Sequence, residues 1–132
     1  MEKLKNNIDK LHRIYLIVCL IAFISACISQ LFLPEIIANN SAWVFADGWQ
    51  REIGIWNLGI IILIIYALWA KNERFNMIIT ISIIVITSLF ATNHLYGVIT
   101  YQPVQIVNIL FTILNYIAAI LGVGIIIIKK IK

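Results

Sequence analysis

Apolar residues run through this chain in four long uncharged windows, Ile14 to Leu33, Ile53 to Ala70, Phe75 to Thr92 and Val104 to Ile128. A bilayer core about 30 Å thick is crossed by roughly 20 apolar residues in a helix rising about 1.5 Å per residue, so each window predicts one spanning helix. His12 and Arg13 precede the first window and Pro34 closes it; Arg51, Glu52 and Lys71 bound the second. Isoleucine makes up about a quarter of the chain and favours sheets in water. The windows are nevertheless too long for strands and lack the alternation of a barrel wall, whereas a helix satisfies every backbone group internally in lipid. The pattern therefore predicts an all-α fold: a polytopic four-transmembrane-helix bundle forming one domain over residues 1–132.

Composition reinforces this pattern. Of 132 residues, 62% are hydrophobic and 12% charged, which excludes an ordinary soluble domain. The net charge of +4, on so apolar a chain, points to lipid headgroups and not to nucleic acid. Lys3, Lys5, Lys10 and Arg13 precede the first window, Lys71 and Arg74 separate the second from the third, and Lys129, Lys130 and Lys132 follow the fourth. Arg51 alone lies on the other side. A bias of nine to one predicts cytoplasmic termini in a multi-pass protein of the cell membrane, N-in and C-in. The acidic residues divide evenly, with Glu2, Asp9 and Glu73 inside and Glu35, Asp47 and Glu52 outside.

The longer connections, Pro34 to Glu52 and Asn93 to Pro103, fall on the outer side. Trp43, Phe45 and Trp49 in the first, with Tyr96 and Tyr101 in the second, suit aromatic anchors at headgroup depth; an aromatic ligand cage is the alternative. The sequence Ile24, Ser25, Ala26, Cys27 resembles a degenerate lipoprotein cleavage box. The twenty-residue apolar core is longer than a usual signal, so a retained span is expected.

Helices gain little from hydrophobicity on associating in lipid, so small and weakly polar residues mark contact faces. Such stripes are Cys19, Ala22, Ala26 and Ser29 in the first helix, Asn76, Thr80, Thr87, Ala91 and His94 in the third, and Asn108, Thr112, Asn115, Ala119 and Gly122 in the fourth. Asn108, Asn115 and Gly122 are read chiefly as packing residues, at about 0.6 kcal/mol per interhelical hydrogen bond; Asn115 has ligand contact as its alternative. Gly124 is read with Gly122 as a close-packing residue. Cys19 and Cys27 lie about 12 Å apart along one helix, too far for a mutual disulfide.

The densest set of functional groups is Asp47, Trp49, Gln50, Arg51, Glu52, Trp56 and Asn57 at the outer mouth of the second helix. On a helix Gln50, Gly54 and Asn57 share one face, and Glu52, Trp56 and Gly59 another. Arg51 either pairs with an acid and snorkels to the interface or anchors an anionic group. His94, expected in an Asn93–His94 turn, lies on the same side of the membrane. Beside Glu52 it would form an acid/base pair, and otherwise it caps or hydrogen-bonds. His12 falls at the opposite end, so the two histidines cannot share a haem or metal, and no metal site or cofactor is expected. The chain has no phosphate loop, G-x-S-x-G elbow or H-E-x-x-H. It also lacks the first-span glutamate on which four-helix multidrug exporters depend. The Asn39–Ser41 sequon is the kind that arises by chance in an asparagine-rich chain.

Trp49 to Leu58 (WQREIGIWNL) with Thr92 to Leu95 (TNHL) resembles the pattern of small uncharacterised bacterial four-helix inner-membrane proteins of the DoxX-like type. The resemblance implies that Gln50, Arg51, Glu52, Asn57 and His94 belong to one site. The leading expectation is a non-catalytic membrane protein whose outer-facing pocket of Gln50, Arg51, Glu52, Asn57, Asn93 and His94 binds a small or lipidic ligand or a partner. The alternatives are an outer-leaflet enzyme using His94 and Glu52, a structural subunit, or a transporter that needs a homodimer or membrane partner to enclose a path.

Overall fold

The computed structural model describes residues 2–43 and 45–130, with side chains from Asn6 onward. Lys132 and the side chains of Glu2, Lys3 and Lys5, all part of the topology argument, lie outside the described residues. Five helices follow in order: α1 (Glu2–Phe32), α2 (Pro34–Asn39), α3 (Asp47–Ala70), α4 (Glu73–Thr100) and α5 (Ile106–Lys130). Among the described residues there is no strand. The four long helices are each long and apolar enough to cross a membrane.

The breaks between helices have local causes. Proline disfavours helical backbone in the residue before it and suits the first helical position; Pro34 accordingly ends α1 and opens α2. Lys71 turns left-handed at φ 50° to end α3. Asn72 then caps α4, its Oδ1 accepting from the Phe75 N–H at 3.0 Å, so two residues suffice to reverse the chain. Asp47 and Glu73 stand in the first turns of α3 and α4, and Lys129 and Lys130 in the last turn of α5, each complementing the helix dipole.

All four long helices outrun their uncharged windows, α5 by the two lysines that end it. α1 begins at Glu2, since neither glycine nor proline interrupts Asn6 to Arg13 and most of their side chains are exposed. α3 takes up the whole Asp47–Glu52 segment. α4 runs eight residues past Thr92, which corrects the expected turn at Asn93–His94: neither proline nor a run of turn formers interrupts it before Tyr101. Thr92 to Leu95 are helical, and the Thr92 hydroxyl donates to the Ser88 carbonyl one turn back, at 2.9 Å.

The long helices form a ring in the order α1, α3, α4, α5, with the closest packing in the α1–α3 and α4–α5 pairs. Leu16, Ile64, Ile83, Ala67, Thr80 and Asn108 have almost no exposed surface. Gly54 lets α1 approach α3, since a Cβ there would lie 2.6 Å from Leu31 Cδ2, and Cys27 Sγ donates to the Gly54 carbonyl at 3.3 Å. The buried stripe of α1 is His12, Leu16, Cys19, Phe23 and Cys27; Ala22 faces outward, and Ala26 and Ser29 are half-buried. Leu16 and Phe23 thus share the α1 contact face with Cys19 and Cys27, while Ala26 and Ser29 sit at its edge and Ala22 outside it. In α4, Thr80, Thr87 and Ala91 are buried, as are Asn108, Ala119 and Gly122 in α5. Asn115 Nδ2 donates to the Phe111 carbonyl of its own helix at 2.8 Å, whereas Asn108 Oδ1 accepts from the Ala42 N–H at 3.1 Å and ties down the α2–α3 connection. The space beside Gly124 is open.

Candidate functional site

At the end of the bundle where α3 begins, the helical wrap of α3 separates the polar residues it carries. Gln50 and Asn57 turn inward and are 6% and 4% exposed. Arg51 and Glu52 turn outward, and Arg51 Nη2 pairs with Asp47 Oδ2 at 2.9 Å one turn back. Asn93 is exposed and His94 half-buried on α4. The imidazole of His94 stands against Phe111 of α5, ring centroids 5.2 Å apart. Among the described residues no hydrogen bond or ion pair joins His94 to Arg51 or Glu52. Gln50 Oε1 and His94 Nδ1 are buried without a hydrogen-bond partner. Around this end Trp43 meets Tyr101 edge-on at 5.6 Å, and Tyr101 meets Tyr96 at 6.5 Å. Trp49 and Trp56 are exposed.

The opposite end, which carries Lys10, Arg13, Lys71 and Lys129, holds a cleft of about 460 Å³ reached by all four long helices. Its floor is a polar network. Lys129 Nζ, on a side chain only 8% exposed, lies 2.8 Å from Asp9 Oδ1 and 3.1 Å from Glu73 Oε1. One ammonium therefore joins α5 to both α1 and α4. His12, buried in the same wall, spans the diagonal of the ring, its Nε2 lying 2.7 Å from Thr80 Oγ1. The Thr80 hydroxyl already donates its proton to the Asn76 carbonyl at 2.8 Å. Thr80 is thus the acceptor of the second bond, and His12 Nε2–H the donor. With its amide oriented to satisfy both neighbours, Asn76 Nδ2 donates to the Ala67 carbonyl at 2.9 Å and the Asn72 carbonyl at 3.1 Å, adding α3.

None of these residues stood out as a site in the sequence, although a signal was present. On α4, Glu73, Asn76, Thr80, Ile83, Thr87 and Ala91 follow steps of three and four. On α1 the stripe from Cys27 back to Leu16 reaches His12, with Asp9 three residues earlier. On α5, Gly122 and Ile125 lead to Lys129. Carried one turn past the uncharged windows, the three contact faces converge on the network.

No group of three His, Cys, Asp or Glu residues able to hold a metal occurs among the described residues. The network's groups are committed to one another: both carboxylates to Lys129, and His12 Nε2 to Thr80. What the arrangement offers chemically is a positively biased recess with a rigid floor.

Four long apolar helices in a ring, with polar groups gathered at the two ends, define a small polytopic helical membrane protein. Within that class the chain belongs to a family of unknown function (DUF6790), whose model matches residues 2–132. Neither a curated protein nor a solved structure matches the chain. The family match does not show the DoxX-like resemblance expected from the α3 motif.

Proposed function

We propose that this protein is a non-catalytic multi-pass protein of the cell membrane, with both termini cytoplasmic, and that it binds a small or lipidic ligand in the cleft of the basic end. The observation that carries the reading is the cleft itself, about 460 Å³ between four helices, within the roughly 300–1,000 Å³ of ligand pockets. Two details support it. The groups best suited to proton transfer are spent on holding helices together, which favours binding over catalysis. Leu68, half-buried, adds apolar wall beside the charges, as an amphiphile requires.

Native mass spectrometry of the detergent-extracted protein tests the reading. A bound species is expected on the wild type, lost from Leu68→Trp, which fills the cleft, and kept in the outward-facing Leu63→Trp. Equal occupancy in the two variants, both folded, overturns it.

A second reading places the ligand at the other end, beside buried Gln50 and Asn57 and half-buried His94, with Arg51, Glu52 and Asn93 on the surface around them. The buried, unpartnered Gln50 Oε1 and His94 Nδ1 favour it, as does the resemblance to DoxX-like bacterial inner-membrane proteins. Here loss of the bound species from Gln50→Ala and His94→Ala, with Leu68→Trp unaffected, is the expected result. The enzyme variant of this reading requires turnover that vanishes in Glu52→Gln and His94→Ala alike. Action as a transporter or subunit needs a second copy or another membrane protein beside the ring.

A further inference from the structure

Four basic side chains and two carboxylates line the basic-end cleft, an excess of two positive charges that is unevenly distributed. Lys129, at the floor, is flanked by both carboxylates within 3.1 Å and is locally overcompensated. Lys10, Arg13 and Lys71 are exposed on the rim, and among the described residues none has an ion-pair partner. Lys10 and Arg13 stand three residues apart on one face of α1, and Lys71 comes from the α3–α4 turn. The rim cations therefore approach the recess from two separate elements. A carboxylate-guarded floor below three unpaired cations suits an anion that stays at the mouth and sends none of its charge inward.

The depth of the mouth is set by the residues around it. Trp69, 77% exposed, is the last residue but one of α3, with Tyr66 and Phe75 packed edge-on at 5.1 Å beside it. Exposed tryptophan at the end of an apolar helix marks headgroup depth, and basic recesses between helices at that depth suit phosphate. Arginine adds a planar fork matched to phosphate oxygens, and lysines act as point charges.

We infer that the rim of Lys10, Arg13 and Lys71 binds a phosphate ester, with the half-buried Leu68 receiving the carbon chain that carries it. This rests on the cleft being a ligand site, as proposed above. The ester is either the headgroup of an anionic lipid in the same leaflet or a soluble phosphate ester from the water phase.

The experiment uses the full chain in nanodiscs of phosphatidylcholine alone or with phosphatidylglycerol, and glycerol 1-phosphate as the soluble probe. Retention of phosphatidylglycerol is compared between wild type, Lys10→Gln/Arg13→Gln/Lys71→Gln, Leu68→Trp and Lys130→Gln. Removing a cation at the membrane surface is expected to weaken anionic-lipid binding roughly fivefold, and removing all three on the order of a hundredfold. Leu68→Trp, which keeps every charge, weakens it too, and Lys130→Gln does not. Selective phosphatidylglycerol retention with this pattern supports the inference with a lipid source. Glycerol 1-phosphate binding with the same pattern, without lipid preference, supports it with a soluble source.

A phosphatidylglycerol preference unchanged in the folded triple variant overturns the inference, as does one lost equally in Lys130→Gln, which would report only the field of a basic surface. Because the rim residues are exposed, the triple variant decides the matter even if Leu68→Trp does not fold. A neutral species bound by wild type, lost from Leu68→Trp and indifferent to the rim charges would overturn the phosphate inference while leaving the cleft a ligand site.

Discussion

Two glycines separated by one residue on α5 are expected to respond oppositely to the same substitution. A Cβ on Gly122 would lie 2.6 Å from Ile84 Cγ1, 2.7 Å from the Tyr15 hydroxyl and 3.1 Å from Ile84 Cδ1. It would thus press on α4 and α1 together. Tyr15 is held there because its hydroxyl donates to the Ala118 carbonyl at 3.2 Å, one turn before Gly122, so it cannot withdraw without losing that bond. Overpacking costs about 1–3 kcal/mol and a lost neutral hydrogen bond about 1 kcal/mol, while alanine regains about 1 kcal/mol over glycine in a helix. The balance for Gly122→Ala is a loss of roughly 1–3 kcal/mol. At Gly124 nothing lies within 4 Å of the added Cβ, so only the propensity gain remains, about 0.5–1 kcal/mol of stabilisation. Reversible unfolding in mixed micelles, followed by circular dichroism, measures both. If Gly122→Ala proves as stable as Gly124→Ala, the close approach of α1, α4 and α5 at this level is refuted.

Further expectations concern charge, topology and the α2–α3 connection. Lys129→Met keeps the buried stem but leaves Asp9 and Glu73 facing each other. It should lose about 1–2 kcal/mol, since both partners are half-exposed and screened, and a double-mutant cycle with Asp9→Asn should show coupling that shrinks with salt; no coupling would refute the pair. Arg74→Cys should resist a membrane-impermeant maleimide on intact cells, whereas Asn39→Cys should react, and the reverse pattern would invert the topology. Native Cys19 and Cys27, both buried, should stay unlabelled in folded protein. Asn108→Ala frees the Ala42 N–H and should speed its hydrogen exchange while α5 remains helical, at a cost of about 1 kcal/mol; unchanged exchange would refute the tie.

Long apolar windows state their secondary structure openly, because lipid admits helices over any other backbone arrangement that these lengths allow. The ends of the helices were harder to read. Nothing in the uncharged windows reveals that α4 continues through His94 to Thr100, since a helix emerging into water needs only the absence of a breaker. Within α3 the three- and four-residue spacing was informative: Gln50, Gly54 and Asn57 are all buried, and Glu52, Trp56 and Gly59 all exposed. In α1 the emphasis on small residues pointed to Ala22, yet Phe23 and Leu16 occupy the contact face. Aromatic and aliphatic bulk fills an interface as well as close approach does, and periodicity of small residues cannot distinguish the two. The basic-end network stayed hidden for a different reason. Lys129, Asp9 and Glu73 were accounted for as topology charges, and only the three-dimensional ring shows that 56 and 120 positions of sequence separate residues whose charged atoms meet within 3.1 Å.

That closure by Lys129 has a consequence for biosynthesis. α1 and α3 form one of the two closely packed pairs of the ring, and both precede α4 and α5 in the chain. Asp9 on α1 and Glu73 on α4 likewise precede Lys129, and among the described residues it is their one ion-pair partner. They stay unpaired until α5 delivers its final turn. Insertion of α5 is therefore the event that completes the floor of the cleft, and every intermediate before it exposes a more acidic end to the membrane surface than the finished protein does.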